Sequence, residues 1–185
     1  MQIEPLDAQS VKIILTAQEM DAYALCLSKT KADDPAVHAF VREMLQAAEA
    51  LCGFRAGHAE RMLAQLYADR SGGCTLYLTA VQRQPHLPGA LYIYRFSGCD
   101  DMIAALVQLF RRCCHRVYKS ALYRMNGCYY VAVDLLHAKD EAVYSCLSEY
   151  GEPYGKTESC RAFLKEHADE ILSENAMDVI TYYLA

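Results

Sequence analysis

A nine-residue segment near the middle of the chain, QRQPHLPGA at residues 82–90, most limits how the chain can fold. Its two prolines cannot continue a helix or occupy a central strand, because proline lacks the backbone N–H that either structure needs. With 185 residues, 54% of them apolar, the chain is large enough for two small cores. We therefore predict a short, semi-rigid linker between two folded units, residues 1–81 and residues 91–185.

Residues 1–81 predict the element order β-β-α-α-β-β. Thr16 begins a capping-box pattern and is expected to start the first helix. Asp34, followed by a proline, is expected to cap the second helix, and Gly53 is expected to end it. Two apolar runs around residues 71–73, Ser-Gly-Gly, then predict a hairpin.

Residues 91–185 contain the strongest local signal of the chain, Asn126-Gly127 between two aromatic and β-branched runs, which predicts a type I′ hairpin. A strand and a helix precede this hairpin. The helix is expected to bury a stripe formed by Ile103, Leu106, Val107 and Phe110. A helix that starts at Asp140, a second helix, a short strand and a final helix follow. The predicted fold class is α+β with two small α/β domains, the C-terminal one a ferredoxin-like split β-α-β with an additional helix.

The stretch GEPYGKT at residues 151–157 resembles a nucleotide-binding loop but lacks its spacing. A Walker A loop reads G-x-x-x-x-G-K-[ST], and this stretch is one residue shorter. Pro153 also removes one of the backbone N–H groups that would bind phosphate. We interpret the segment as structural, with Gly151 ending one helix and Thr157 capping the next. Between them, Pro153 and Gly155 are expected to turn the chain.

The sequence predicts no catalytic, cofactor or metal site. It has nine cysteines but no C-x-x-C pair, and its six histidines lack the spacing of metal ligands. We interpret the cysteines as small buried hydrophobes in a reducing compartment. No nucleophile–base motif such as G-x-S-x-G occurs, so no enzymatic activity is expected. Since no apolar leader or 18-residue apolar run is present, we expect a cytoplasmic protein without a membrane segment.

Charge is distributed unevenly along the chain. Residues 82–139 hold eight basic and three acidic side chains, whereas residues 140–185 hold three basic and ten acidic ones, a net charge of −7. The basic part would suit an anion and the acidic part a basic protein surface, although two solvated faces of one domain give the same pattern. The overall charge of −5 argues against a nucleic-acid partner.

Two adjacent tyrosines, Tyr129 and Tyr130, lie on the predicted hairpin. Neighbouring side chains on a strand alternate between faces, so one of the two is expected to face outward. Aromatic side chains on a sheet can stack RNA bases, but the RNP1 pattern that marks such sheets is missing here. Packing at the edge of the sheet is therefore the favoured interpretation.

Six stretches spread over the whole chain carry a resemblance to a known family. They are MQIEPLDAQSVKIILT, FRAGHAERMLAQLYADRSGGCTLYLT, YRFSGCDDMIAAL, SALYRMNGCYYVAV, LSEYGEP and LKEHADEILSENAMDVITYYL. In their order and character they resemble the MecA family of adaptor proteins of Gram-positive bacteria.

The resemblance implies a non-enzymatic adaptor without a cofactor. Residues 1–81 would recruit substrate proteins, such as a competence transcription factor. Residues 91–185 would dock on a ClpC-type AAA+ ATPase, promote its assembly and deliver the substrate to the ClpP protease. Family members often carry a longer, acidic connector, whereas residues 82–90 are few and hold no acid. We therefore expect restricted motion between the two units.

The acidic end of the chain predicts where a partner binds. We predict that Glu149, Tyr150 and Glu152, together with Tyr129 and Tyr130 of the hairpin, form the surface that faces the ATPase. Two other classes of function stay open from the sequence. One is a small-molecule sensor built on the ferredoxin-like domain, and the other is a nucleic-acid-binding regulator that uses the basic residues between positions 83 and 124.

Overall fold

Two compact units, Met1–Arg83 and Gln84–Ala185, make up the chain. The computed structural model describes, apart from the side chain of Arg61, residues 1–23, 25, 34–55, 61–81, 91–137 and 140–184. The linker predicted at residues 82–90 lies outside these described residues. Within them, none of the helices is long and apolar enough to cross a membrane.

The first unit has the predicted element order β-β-α-α-β-β, which is confirmed. Its elements are β1 (Gln2–Pro5), β2 (Ser10–Leu15), α1 (Ala17–Ala22), α2 (Pro35–Cys52), β3 (Arg61–Ala68) and β4 (Cys74–Val81). The four strands form an antiparallel sheet in the order β1-β2-β4-β3. Inward-facing residues of β2 and β4 form the core with α2, which contributes Phe40, Met44 and Ala48.

Local signals in the sequence set the ends of both helices. The Thr16 hydroxyl accepts a hydrogen bond from the backbone N–H of Glu19, and the Glu19 carboxylate accepts one from the backbone N–H of Thr16. The Asp34 carboxylate caps α2 by accepting from the backbone N–H of Ala36. Gly53 ends α2 in the left-handed conformation with φ of 67°, which glycine adopts without a steric penalty.

The turn between β3 and β4 is organised by a single carboxylate. Asp69 Oδ1 accepts hydrogen bonds from the backbone N–H of Ser71 at 2.7 Å and of Gly73 at 3.1 Å, and from the Ser71 hydroxyl. These donors, the Ser71 hydroxyl foremost, hold the pKa of Asp69 below its ordinary value of 3.8. Because its ionised form is the one stabilised, Asp69 contributes to stability only when it is charged.

Replacing Asp69 is expected to destabilise the first unit in a pH-dependent way. Asp69→Ala should lower the free energy of unfolding by about 1 kcal/mol near neutral pH, because the turn loses its acceptor. The difference between wild type and variant should be constant above pH 5 and should shrink below about pH 4, where Asp69 is protonated in the unfolded chain. Urea denaturation from pH 3 to pH 7 measures this difference, and a difference independent of pH would contradict the role of the charge.

The second unit is built on a five-stranded antiparallel sheet in the order β8-β5-β7-β6-β9. Its strands are β5 (Leu91–Phe96), β6 (Val117–Met125), β7 (Cys128–Leu135), β8 (Glu152–Gly155) and β9 (Asp169–Leu172). Its helices are α3 (Cys99–Cys113), α4 (Glu141–Ser148), α5 (Glu158–His167) and α6 (Ala176–Leu184), with a 3₁₀ turn at Cys114–Arg116. Asn126 and Gly127, at φ of 51° and 75°, form the tight turn predicted between β6 and β7.

The predicted fold class is confirmed, with one strand more than expected at the edge of the sheet. From β5 to β8 the elements follow the β-α-β-β-α-β order of a ferredoxin-like fold, and α5, β9 and α6 are additions. The expectation that Gly151 ends a helix and that Pro153 and Gly155 turn the chain is wrong. Helix α4 already ends at Ser148, and Glu152–Gly155 pairs with β5 as the edge strand β8. An edge strand tolerates proline because one row of its N–H groups needs no partner strand.

Helices cover both faces of this sheet. The hydroxyl of Tyr94 lies 2.7 Å from the Ser148 hydroxyl, which joins α4 to β5. On the same face, the Ser120 hydroxyl of β6 accepts a hydrogen bond of 2.8 Å from the backbone N–H of Met177, at the start of α6. Helix α5 lies on the opposite face, where Leu164 packs into a cluster with residues of β5, β6 and β7.

The buried face of α3 differs from the predicted stripe. The buried residues are Met102, Ala105, Leu106, Leu109 and Cys113, so only Leu106 of the expected set is fully buried. Ile103, Val107 and Phe110 are half-buried. The helix contacts α4 and α6 as well as the sheet. Its neighbours therefore decide which side is most buried, and apolar spacing in one helix does not contain that information.

Candidate functional site

One candidate site among the described residues is a surface cleft between the end of β5 and the chain that follows α4. It has a volume of about 320 Å³ and is lined by Arg95, Ser97, Ser148, Glu149, Tyr150, Gly151 and Glu152. Glu149, Tyr150 and Glu152, three of the five predicted partner-binding residues, therefore lie together. We call this set of seven residues the α4–β8 cleft.

Two ion pairs flank the α4–β8 cleft, and both are exposed. Arg95 Nη1 lies 3.4 Å from Glu152 Oε2, and Arg112 Nη1 lies 3.9 Å from Glu149 Oε2. The side chains of Glu152 and Glu149 are 79% and 54% exposed, respectively. Such exposed pairs are weak, since water and salt screen them. Both carboxylates are therefore exposed and only weakly held by their arginines.

Close packing fixes the backbone beneath the cleft. A Cβ added at Gly151 would lie 2.5 Å from Cε1 of Phe96, so only glycine fits against this buried ring. The Tyr94 hydroxyl, besides its contact with Ser148, lies 3.3 Å from the carbonyl oxygen of Tyr144. Burial raises the pKa of Tyr94 to about 12, so the phenol stays protonated and can donate. The end of α4 and the start of β8 are thus held on β5 from both sides.

The far end of β8 is fixed as closely. A Cβ added at Gly155 would lie 2.6 Å from Cys160 Sγ at the start of α5. Lys156, the next residue, places its Nζ 5.0 Å and 4.9 Å from the ring centroids of Tyr92 and Tyr144. At these distances a lysine ammonium is attracted to both aromatic faces. Residues 149–156 therefore form a preorganised segment that spans the edge of the sheet.

Tyr129 and Tyr130 lie outside the α4–β8 cleft and on opposite faces of the sheet. Tyr130 is only 5% exposed and faces α5, with its ring centroid 4.9 Å from that of Tyr154. Tyr129 is half-buried on the other face, and the Arg124 guanidinium lies 6.0 Å from its ring centroid. The two residues therefore alternate between the faces as predicted, and neither ring is fully exposed.

Much of the positive charge in residues 82–139 is compensated by carboxylates. The ion pairs concerned are Arg95–Glu152, Arg112–Glu149, Arg116–Asp140 and Lys119–Glu174. A surface that binds nucleic acid needs arginines and lysines free to neutralise phosphates. This pairing therefore weighs against the nucleic-acid alternative.

The described residues show no arrangement for metal binding, and two of their buried thiols are kept unreactive. Among them, no group of three or more histidine, cysteine or acidic side chains is arranged to hold a metal ion. The eight cysteines within the described ranges are free thiols. Burial raises the pKa of both Cys74 and Cys113 to about 11, which keeps these two thiols protonated and unreactive at neutral pH.

Comparison with known proteins identifies the family. Residues 80–180, more than half of the chain, match the family described as "Negative regulator of genetic competence (MecA)". The chain belongs to the MecA family. Two solved structures, the C-terminal domain of YpbH and the C-terminal domain of MecA, are each 24% identical to it, with a TM-score of 0.41. Each of these matches covers 51% of this chain and 98% of the solved domain. No curated protein sequence matches the chain.

The part of the chain that matches the MecA family contains the whole α4–β8 cleft, from Arg95 to Glu152. Sequence reasoning found the acidic and aromatic members of the cleft through the net charge of residues 140–185. It missed the two arginines that pair with Glu149 and Glu152. Arg95 was detectable, since it is the one charged residue in the apolar strand LYIYRF. Arg112, among several basic residues near the end of α3, gave no distinguishing signal.

Gly151 is expected to be essential for the shape of the cleft in this MecA-family chain. Gly151→Ala should lower the free energy of unfolding by about 1–3 kcal/mol, because the buried Phe96 ring must move to admit a methyl group. Gly98→Ala is the control for adding a methyl group, since a Cβ there would meet its nearest atom at an ordinary 3.5 Å, and only the smaller cost of alanine at the N-cap of α3 is expected. Chemical denaturation compares the two variants, and equal losses for both would contradict the close contact at Gly151.

Proposed function

We propose that this MecA-family protein is a non-enzymatic adaptor that binds substrate proteins and delivers them to a ClpC-type AAA+ ATPase and its ClpP protease. The observation that carries the proposal is the α4–β8 cleft, a rigidly held, charged surface within the part of the chain that matches the family. The description of that family as a negative regulator of competence fits a protein that acts by lowering the amount of a regulator.

Rigid support of the cleft favours protein docking. Tyr150 is half-buried at the cleft between the two exposed carboxylates, and tyrosine is enriched at the energetic centres of protein interfaces. Because Phe96 packs closely against Gly151 and Cys160 against Gly155, we expect little further ordering of this segment when a partner binds. Glu149 and Glu152 then provide charges that steer a basic partner surface toward the cleft.

The division into two units supports a division of labour. In this proposal the second unit, with the cleft, docks on the ATPase, and the first unit recruits the substrate, such as a competence transcription factor. An adaptor with two binding units raises the effective concentration of the substrate at the ATPase, which increases apparent affinity by roughly 10²–10⁴-fold without a new contact. The chemistry of unfolding and cleavage then belongs to the partner enzymes.

Charge reversal in the cleft tests the docking site. The double variant Glu149→Lys/Glu152→Lys should bind a ClpC-type ATPase at least about ten-fold more weakly than the wild-type chain, because like charges are brought together at the interface. Binding is measured by surface plasmon resonance with the immobilised ATPase, at 50 mM and 300 mM salt. The difference between variant and wild type should shrink at the higher salt concentration.

A matched control separates the cleft from the overall charge. Glu166→Lys/Asp169→Lys changes the net charge equally at the end of α5 and in β9, where both residues are exposed outside the cleft. This control should bind within about two-fold of wild type, as expected for distant screened charges. Unfolding temperatures of both variants verify that they are folded. Wild-type affinity in the cleft variant, or equal weakening in the control, would refute the assignment of the cleft.

A further inference from the structure

We propose that Arg95 and Arg112 act as built-in counter-ions that weaken docking of a basic partner at the α4–β8 cleft. This inference rests on the proposed function, because it concerns how the same surface is regulated. In the free chain each carboxylate at the cleft faces an arginine of its own chain. A partner lysine or arginine must therefore compete with that arginine for Glu149 or Glu152.

The geometry of the two pairs makes such competition possible. Each pair is a single contact, at 3.4 Å for Arg95–Glu152 and 3.9 Å for Arg112–Glu149, longer than the usual 2.7–2.9 Å of a charge-assisted hydrogen bond. All four side chains are between 44% and 79% exposed, so a released arginine is rehydrated at once. Displacement by a partner cation is therefore reversible and needs no change in the backbone.

Arg95 and Arg112 differ in their other contacts, and this difference determines which of them is better suited to substitution. Arg95 also donates a hydrogen bond to Cys128 Sγ at 3.4 Å, so its replacement alters contacts outside the cleft. Arg112 lies in the last turn of α3, and its side chain is 60% exposed. Removing the charge of Arg112 changes the cleft with the least effect on the packing of the sheet.

The partner chemistry follows from the charges that remain after displacement. With both arginines moved aside, the cleft presents two carboxylates, the ring of Tyr150 and the hydroxyls of Ser97 and Ser148. This combination fits the basic side chain of a folded protein, because the carboxylates accept hydrogen bonds from lysine or arginine and the ring attracts the cation. The counter-ions make this binding weaker than the carboxylates alone would allow, mainly by slowing association with a basic partner.

The decisive variant is Arg112→Gln. Its affinity for the immobilised ClpC-type ATPase at 50 mM salt should be about two- to five-fold higher than that of wild type, the range expected for freeing one carboxylate from an exposed pair. The gain should arise mainly in the association rate and should disappear at 500 mM salt. In the double variant Arg112→Gln/Glu149→Gln the gain should be absent, because the freed carboxylate is gone.

Arg111→Gln is the matched control, since Arg111 is an exposed neighbour on the same helix but, unlike Arg112, is not paired with Glu149 or Glu152. This control should leave the affinity within about 1.5-fold of wild type, as expected for a screened surface charge. If the wild-type chain binds but Arg112→Gln has unchanged or weaker affinity, or gains no more than Arg111→Gln, the counter-ion role is overturned and the adaptor function stands. If the wild-type chain does not bind the ATPase at all, both proposals fail.

Discussion

The close approach of Gly151 to the ring of Phe96 is the contact on which the geometry of the second unit depends. It lets the chain leave α4, cross the end of β5 and return as the edge strand β8 within three residues. A side chain at this position would collide with the Phe96 ring, so the ring or the start of β8 would have to move. The same contact brings Glu149, Tyr150 and Glu152 to one place, so the fold and the candidate site share a single steric requirement.

Much of the fold was predictable from interactions between residues close together in the sequence. Capping residues such as Thr16 and Asp34 and the turn at Asn126 act within a few positions of themselves, so their effect is visible in the sequence. The strand β8 was invisible because its four residues include a proline and show no apolar alternation. It exists only because β5 offers an unpaired edge, which is a tertiary property. The prediction of the buried side of α3 was wrong for a related reason, since the neighbouring helices determine which side is buried.

The candidate site was also predictable only in part, because some of its residues lie close together in the sequence and others do not. The excess of acidic residues after position 140 predicted Glu149 and Glu152 as partner-binding residues. The structure brings them together with Tyr150. The arginines that face them come from β5 and α3, far away in sequence. Net charge along the chain therefore overstated both the acidic and the basic character of the surface, because opposite charges from the two stretches meet in space. The alternation of Tyr129 and Tyr130 was predictable, but the burial of Tyr130 against α5 and Tyr154 was not.

The hydrogen bond from Met177 to Ser120 has a consequence for how the second unit assembles. It joins residues 57 positions apart, so the last helix acquires its N-terminal acceptor only after strand β6 is in place. Ordering such a long intervening segment carries a loop-closure entropy that a short-range cap does not. The start of α6 is thus stabilised by a non-local contact, and its amide protons should report the integrity of the sheet as well as that of the helix.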